Sequence, residues 1–196
     1  MKFEWKLKDI LMVGVTGVLF SFLYLGMVYA GTALCTAMTP FGLGAAGYEP
    51  IYGVWFMAGI FAVYVIRKPG VGIVAEMLAA LLEVLMGNMF GPRVFVTGFV
   101  QGLGTELGFA AFRYKKFNGK AVLVSSAVTV VFSFIWNTYT SAYYKLDLWL
   151  VVVMFLIRMV SGMVFGLITK ALADGLAKAG VMKGYAIGQQ YNDFED

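Results

Sequence analysis

Six stretches of about 20 predominantly apolar residues, crowded into a chain of 196, constrain this protein more than any other feature of its sequence. They run roughly over 10–30, 50–66, 70–89, 94–112, 121–142 and 148–172. A helix that crosses a bilayer takes about 20 residues, so six take about 120. The remaining ~76 positions cannot hold a soluble domain of useful size. Composition agrees: 61% of residues are hydrophobic and 13% charged, against about 45–50% and 25% in soluble domains. Mean hydropathy is +0.82. The expected fold class is an all-α membrane protein with six transmembrane helices, one integral domain over residues 1–196. A soluble globule, a disordered chain and a nucleic-acid-binding module are excluded.

The breaks between runs carry turn residues: Pro69-Gly70 after Arg67-Lys68, Gly91-Pro92, and Asn118-Gly119. Basic residues are unevenly divided if six helices alternate across the membrane. Lys2, Lys6, Lys8, Arg67, Lys68, Arg113, Lys115, Lys116, Lys120, Lys170, Lys178 and Lys183 fall on one side, Arg93 and Lys145 on the other. Arg158 lies within the sixth run. Cytoplasmic loops carry the excess of Lys and Arg, so both termini are expected in the cytoplasm. The +4 formal charge is thus a signal of topology. The first apolar run is longer than the 7–15 residues of a signal-peptide core and reads as helix one. Residues 173–196 read as a helix extension followed by disorder, and residues 31–49 as a long outer loop between helices 1 and 2. With Tyr48, Phe41 and Leu43 in it, that loop reads as a cap over an outward-facing cavity or as a disordered outer loop.

Several chemistries are absent. There is no histidine, and Cys35 is the one cysteine. Imidazole catalysis, His-ligated metals, Cys-rich metal sites and an internal disulfide are excluded. No G-x-x-x-x-G-K-[ST], H-E-x-x-H or G-x-S-x-G occurs, so no catalytic residues, metal ligands or cofactors are expected. The run Gly42–Gly47 spells G-x-G-x-x-G. It lacks the strand before and the helix after that a dinucleotide fingerprint needs.

Ionisable groups at membrane depth cost about 2.5–3.5 kcal/mol each and mark function. Glu76 and Glu83 in run three, Glu106 in run four and Arg158 in run six are the four. Glu76 and Glu83 are seven residues apart and share a helix face with Gly72, Ala79, Ala80 and Gly87. Thr97, Gln101 and Thr105 line another face, and Ser126, Thr129, Ser133, Asn137 and Thr140 a third. At 1.5 Å per residue, Glu83, Gln101 and Asn137 lie roughly 8–10 Å below the outer boundary, while Glu76, Glu106 and Arg158 lie about 15–18 Å down. An outward-opening polar pocket with a charged floor is the expectation. Glu106 with Arg158 reads as a buried ion pair that orders the bundle, or as part of that floor. One arginine leaves two of the three carboxylates in excess, to be protonated or to meet a cation. Glu83 reads as a ligand contact, Glu76 as neutral or structural.

Trp55, Tyr52, Trp136 and Tyr139 cluster near the outer ends of runs two and five. They form an interfacial belt or offer aromatic faces to a cation, each worth about 0.5–2 kcal/mol. Carboxylate, amide and aromatic groups together suit a small, flat, cationic heteroaromatic ligand. Gly14, Gly17 and Ser21 in helix one pack internally or form a docking face for a membrane partner. The pairs Gly98/Gly102, Gly104/Gly108 and Gly162/Gly166 read as internal contacts.

The segments KFEWKLKDILMVGVTGVLF, EPIYGVWFMAG, EMLAALLEVLMGN and GLGTELGFA resemble the YkoE-type S components of energy-coupling-factor (ECF) transporters, over essentially the whole chain. The resemblance implies a substrate-binding subunit of an ABC-type importer in a prokaryotic cell membrane. It would bind thiamine or its hydroxymethylpyrimidine precursor at the outer side and topple to deliver it. Its partners would be a transmembrane coupling protein and two ATPases, consistent with the missing P-loop. Glu83 or Glu106 would accept hydrogen bonds from the aminopyrimidine, with aromatic rings stacked on the ligand. Some thiamine-binding S components use a histidine near the ligand; this chain has none, so its contacts differ. The alternative is a stand-alone, proton-coupled transporter of an organic cation, with the glutamates carrying protons.

Overall fold

A computed structural model describes residues 4–192; Lys2 and the acidic end beyond Asn192 lie outside them. Seven α-helices and no strands are found among the described residues: α1 Leu7–Met38, α2 Met57–Ile66, α3 Val71–Leu85, α4 Arg93–Ala110, α5 Gly119–Thr140, α6 Leu148–Lys178 and α7 Ala186–Asn192. Four stretches are long and apolar enough to cross a membrane: Leu7–Phe41, Gly44–Ile66, Gly119–Thr140 and Leu148–Lys178. The third and fourth expected spans appear as α3 and α4 but are not among these four. α3 has 15 residues, and α4 carries Gln101, Thr97, Thr105 and Glu106.

The core is built around α2, in which all ten residues are buried. α3 packs against α1, α2 and α4, and α5 lies between α4 and α6. Close approach depends on small residues. A Cβ on Gly108 would meet Ser125 Cα at 2.2 Å, and one on Gly102 would meet Ile73 Cα at 2.6 Å. The outward faces of α1 and α6 keep large apolar side chains exposed, among them Leu11, Leu19, Phe22, Leu156 and Val160, as a lipid-facing surface requires. Turn chemistry ends the helices where the sequence signals it. Gly70 and Gly87 take left-handed φ of 88° and 96°, conformations that a residue without Cβ adopts freely. Asn118 Oδ1 accepts the Ala121 N–H at 3.0 Å and caps α5.

Three sequence expectations change. Helix one continues to Met38, so most of the expected 31–49 loop is helix and short 3-10 turns, Thr39–Phe41 and Gly44–Ala46. Second, Glu49–Phe56 is a 3-10 helix that runs into α2. Third, beyond the expected helix extension, which reaches Lys178, the tail expected to be disordered is folded as far as Asn192. Beyond α6, Met182 and Ile187 are buried, and Tyr185 Oη donates to the Lys8 carbonyl at 2.9 Å.

Helix one separates the three docking candidates, Gly14, Gly17 and Ser21. Gly17 and Ser21 point inward: a Cβ on Gly17 would stand 2.7 Å from Leu78, and Ser21 is 1% exposed. Only Gly14 has open space, with nothing within 4 Å of its Cβ position. Gly17→Val is therefore expected to lower stability by about 1–3 kcal/mol, as overpacking does, and Gly14→Val by much less. Thermal unfolding of the two purified variants checks this.

Candidate functional site

The 3-10 winding over Glu49–Phe56 places every third side chain on one face. Glu49, Tyr52 and Trp55 are spaced that way. Tyr52 and Trp55 line a cavity of about 130 Å³ at the end of the bundle where α3 passes to α4 and α5 to α6. Tyr24 of α1 and Tyr48 add two more rings. α3 supplies Ala80 and Glu83, and the connection to α4 supplies Asn88 and Phe90. Arg93, Val94, Thr97 and Gln101 come from α4, Asn137 and Thr140 from α5, and Ser141 and Tyr143 from just beyond it.

Glu83 is the notable acceptor. Its side chain is fully buried; Oε1 accepts from Asn88 Nδ2, the Trp55 indole N–H stands beside the carboxylate, and Oε2 makes no hydrogen bond of good geometry. Leaving a buried acceptor unpaired costs about 1–3 kcal/mol, more when it is charged. The Asn88 amide is itself fixed, because its Oδ1 accepts the Phe90 N–H at 2.7 Å. Across the cavity, Asn137 Nδ2 donates to Tyr52 Oη at 2.8 Å, and Gln101 is 3% exposed. The cavity thus combines one poised carboxylate oxygen, two amides and a set of aromatic faces.

The charged floor does not form as the sequence suggested. Arg158 pairs with Glu49, not with Glu106. Its Nε donates to Glu49 Oε2 and its Nη2 to Oε1, both at 2.6 Å, with both side chains fully buried. Tyr143 Oη donates to Glu49 Oε1 at 3.1 Å, closing the cluster behind the cavity wall. Glu106 lies elsewhere. Its Oε1 accepts the Gly72 N–H at 2.7 Å at the first turn of α3, and Tyr114 Oη donates to Oε2. Glu76 sits outside the lining, accepting from Tyr24 Oη at 3.0 Å and from the Gly59 N–H at 2.9 Å. It therefore holds the Tyr24 ring from behind.

Of the aromatic pair on α5, neither lines the cavity. Tyr139 is 73% exposed, and Trp136 donates its indole N–H to Thr97 Oγ1 at 2.9 Å. The two residues flank Asn137 in sequence, but 100° per residue carries them off its inward face. Sequence reasoning missed Glu49, Tyr24, Asn88, Arg93 and Tyr143, and placed Tyr48 only in the capping loop. A signal for Glu49 was present: a lone acid in a basic-free stretch, three residues before Tyr52 and six before Trp55. Within Gly42–Gly47, Gly42 (φ 73°) caps the 3-10 turn Thr39–Phe41 and Gly44–Ala46 form a second, with no strand beside them among the described residues.

Known proteins share this architecture. Residues 8–132 match the family ABC_cobalt, described as the permease component of ABC-type cobalt transport systems. No group of His, Cys, Asp and Glu able to hold a metal ion occurs among the described residues. The Bacillus subtilis (strain 168) protein named "Putative HMP/thiamine permease protein YkoE" is 39% identical over 188 residues, 95% of this chain and 92% of that protein. A solved structure described as "Crystal structure of an S-component of ECF transporter" superposes with a TM-score of 0.93 at 38% identity, covering 98% of this chain and 95% of the other. With the fold and the sequence matched over nearly their whole length, the chain belongs to the YkoE-type S components of ECF transporters, non-catalytic membrane subunits of transport systems.

Proposed function

We propose that the cavity binds thiamine or its hydroxymethylpyrimidine precursor from outside the cell. The chain then hands the ligand inward with a transmembrane coupling protein and two ATPases. The observation that carries this reading is the unpartnered Oε2 of Glu83 in an aromatic cavity. An exocyclic amine on a flat ring is the donor such an acceptor lacks. Gln101 and Asn137 can pair with ring nitrogens, each amide offering both donors and an acceptor. The volume supports one ring inside: about 130 Å³ is close to the ~150 Å³ that encloses benzene in an engineered cavity. The relative's name, which speaks of HMP and thiamine, points the same way.

Six spans with both termini in the cytoplasm fit this role. α3 and α4 cross as a polar pair, shielded by α1, α2 and α5. The partner-facing surface is the exposed flank of α1 around Gly14, Leu11 and Val18. Glu83, Gln101, Asn137, Tyr52 and Trp55 contact the ligand, and Glu76 acts through Tyr24.

Isothermal titration calorimetry of purified protein with thiamine and with hydroxymethylpyrimidine tests the reading, paired with uptake in cells with and without the ATPase and coupling subunits. Saturable binding of at least one compound, with uptake that depends on those subunits, is the expected result. No binding up to millimolar concentration refutes the ligand class. Uptake that persists without the ATPases favours a proton-coupled carrier instead.

A further inference from the structure

The charge of the cavity lining is not the charge of the bundle. Glu76 and Glu106 spend their carboxylates on hydrogen bonds outside the lining. The lining itself holds one acid, Glu83, and one base, Arg93. Neither belongs to any ion pair among the described residues, with each other or with a third group. Opposite charges that share a cavity of about 130 Å³ and stay apart suit a ligand with a donor for one and an anion for the other.

Depth orders the two. Arg93, Thr97 and Gln101 all line the cavity and follow one another at four-residue steps on α4, about 6 Å of rise each. Exposure falls along this row: Arg93 is exposed, Thr97 half-buried and Gln101 buried. Glu83 is fully buried. Arg93 therefore marks the rim and Glu83 the interior. The guanidinium is held in place, 5.5 Å from the Phe90 ring centroid, with Nη1 donating to the Thr140 carbonyl at 3.2 Å. That is the one hydrogen bond of its side chain among the described residues. A guanidinium has five N–H donors in a planar fork, so a phosphate can still be met by two of them at once.

Resting on the ligand class proposed above, we infer that the site takes the phosphate monoester of hydroxymethylpyrimidine, with the ring amine on Glu83 and the phosphate on Arg93. One ring fills the interior, so whatever that ring carries leaves past the rim. In the ester, the methylene carbon of the pyrimidine carries a phosphate. In thiamine, the same carbon carries the cationic thiazolium. Arg93 thus meets an anion in one compound and a cation in the other, and it is the residue that separates them.

Calorimetry with hydroxymethylpyrimidine, its phosphate ester and thiamine tests this on the unmodified protein and three variants. The unmodified protein is expected to bind the ester about tenfold more tightly than the free alcohol. Arg93→Gln is expected to abolish that advantage, to leave the uncharged alcohol within threefold, and to strengthen thiamine about threefold. Arg93→Lys should keep part of the ester's advantage, since the charge remains and the planar fork is lost. Lys145→Gln, which removes the other base expected on the outer side but not in the lining, should change the ester less than threefold. The ester's advantage should also shrink as salt is raised, because Arg93 is exposed. An ester no tighter than the alcohol, or an advantage that survives Arg93→Gln, overturns the inference and leaves the ligand class standing. An equal loss in Lys145→Gln assigns the effect to the general surface charge and overturns the Arg93 contact. Failure of all three compounds to bind the unmodified protein overturns the ligand class itself.

Discussion

Arg158→Met alone is expected to cost about 3–5 kcal/mol of folding stability, the range for removing one partner of a buried ion pair. The arithmetic rests on what is left behind. Glu49 is fully buried and would keep a single partner, the Tyr143 hydroxyl. A lone carboxylate there has lost both of its guanidinium bonds and cannot reach water. Glu49→Leu alone is expected to be comparably harmful, stranding the buried guanidinium with the Tyr143 hydroxyl, 3.2 Å from Nη2, as its remaining acceptor. The paired replacement should recover most of the loss, because apolar residues of similar volume often match or exceed a buried ion pair in stability. Thermal unfolding of the two single variants and the double closes the cycle. A double variant as unstable as the sum of the singles would mean that the two residues act separately and the bidentate pair is unimportant.

The Glu83→Gln variant should behave in the opposite way, losing ligand affinity more than tenfold while folding stability stays level or rises. Tenfold is about 1.4 kcal/mol, and a hydrogen bond to a charged group contributes about 1.5–3 kcal/mol. The substitution keeps the shape and an oxygen for Asn88, but it turns the unpartnered Oε2 into an N–H donor. An amine on the ligand then meets a donor instead of an acceptor. Calorimetry gives the affinity and thermal unfolding the stability. A parallel fall in both quantities would assign Glu83 to the framework and not to the site.

Much of this arrangement was legible in the sequence because membrane helices follow few rules. Length and turn residues located every helix from α1 to α6 within a few residues at most ends. The 1.5 Å rise brought Glu83, Gln101 and Asn137 to one depth, and the structure gathers all three around one cavity. What escaped depends on backbone winding and on contacts distant in sequence. Glu49 and Arg158 are separated by 109 positions. No local pattern pairs them, whereas Glu106 looked nearer because it lay on a neighbouring polar face. Tyr139 lies off the cavity, as its interfacial-belt reading allowed, because proximity in sequence to Asn137 says nothing of direction on a helix. Gly17 and Ser21 showed that small residues permit contact without saying with what. The answer was Leu78 of the same chain.

The eight-residue 3-10 segment Glu49–Phe56 also limits how genes of this kind can vary. At about 120° per residue, one inserted or deleted codon between Glu49 and Trp55 turns the ring that follows by a third of a circle. It separates the carboxylate that anchors Arg158 from the rings that line the cavity. Substitutions here change the chemistry of one position at a time, whereas a change of length dismantles the alignment in a single event. Among homologues, this stretch should therefore tolerate exchanges at positions other than Glu49 but no gaps, while the 3-10 turns just before it, around Gly42, have no such register to keep.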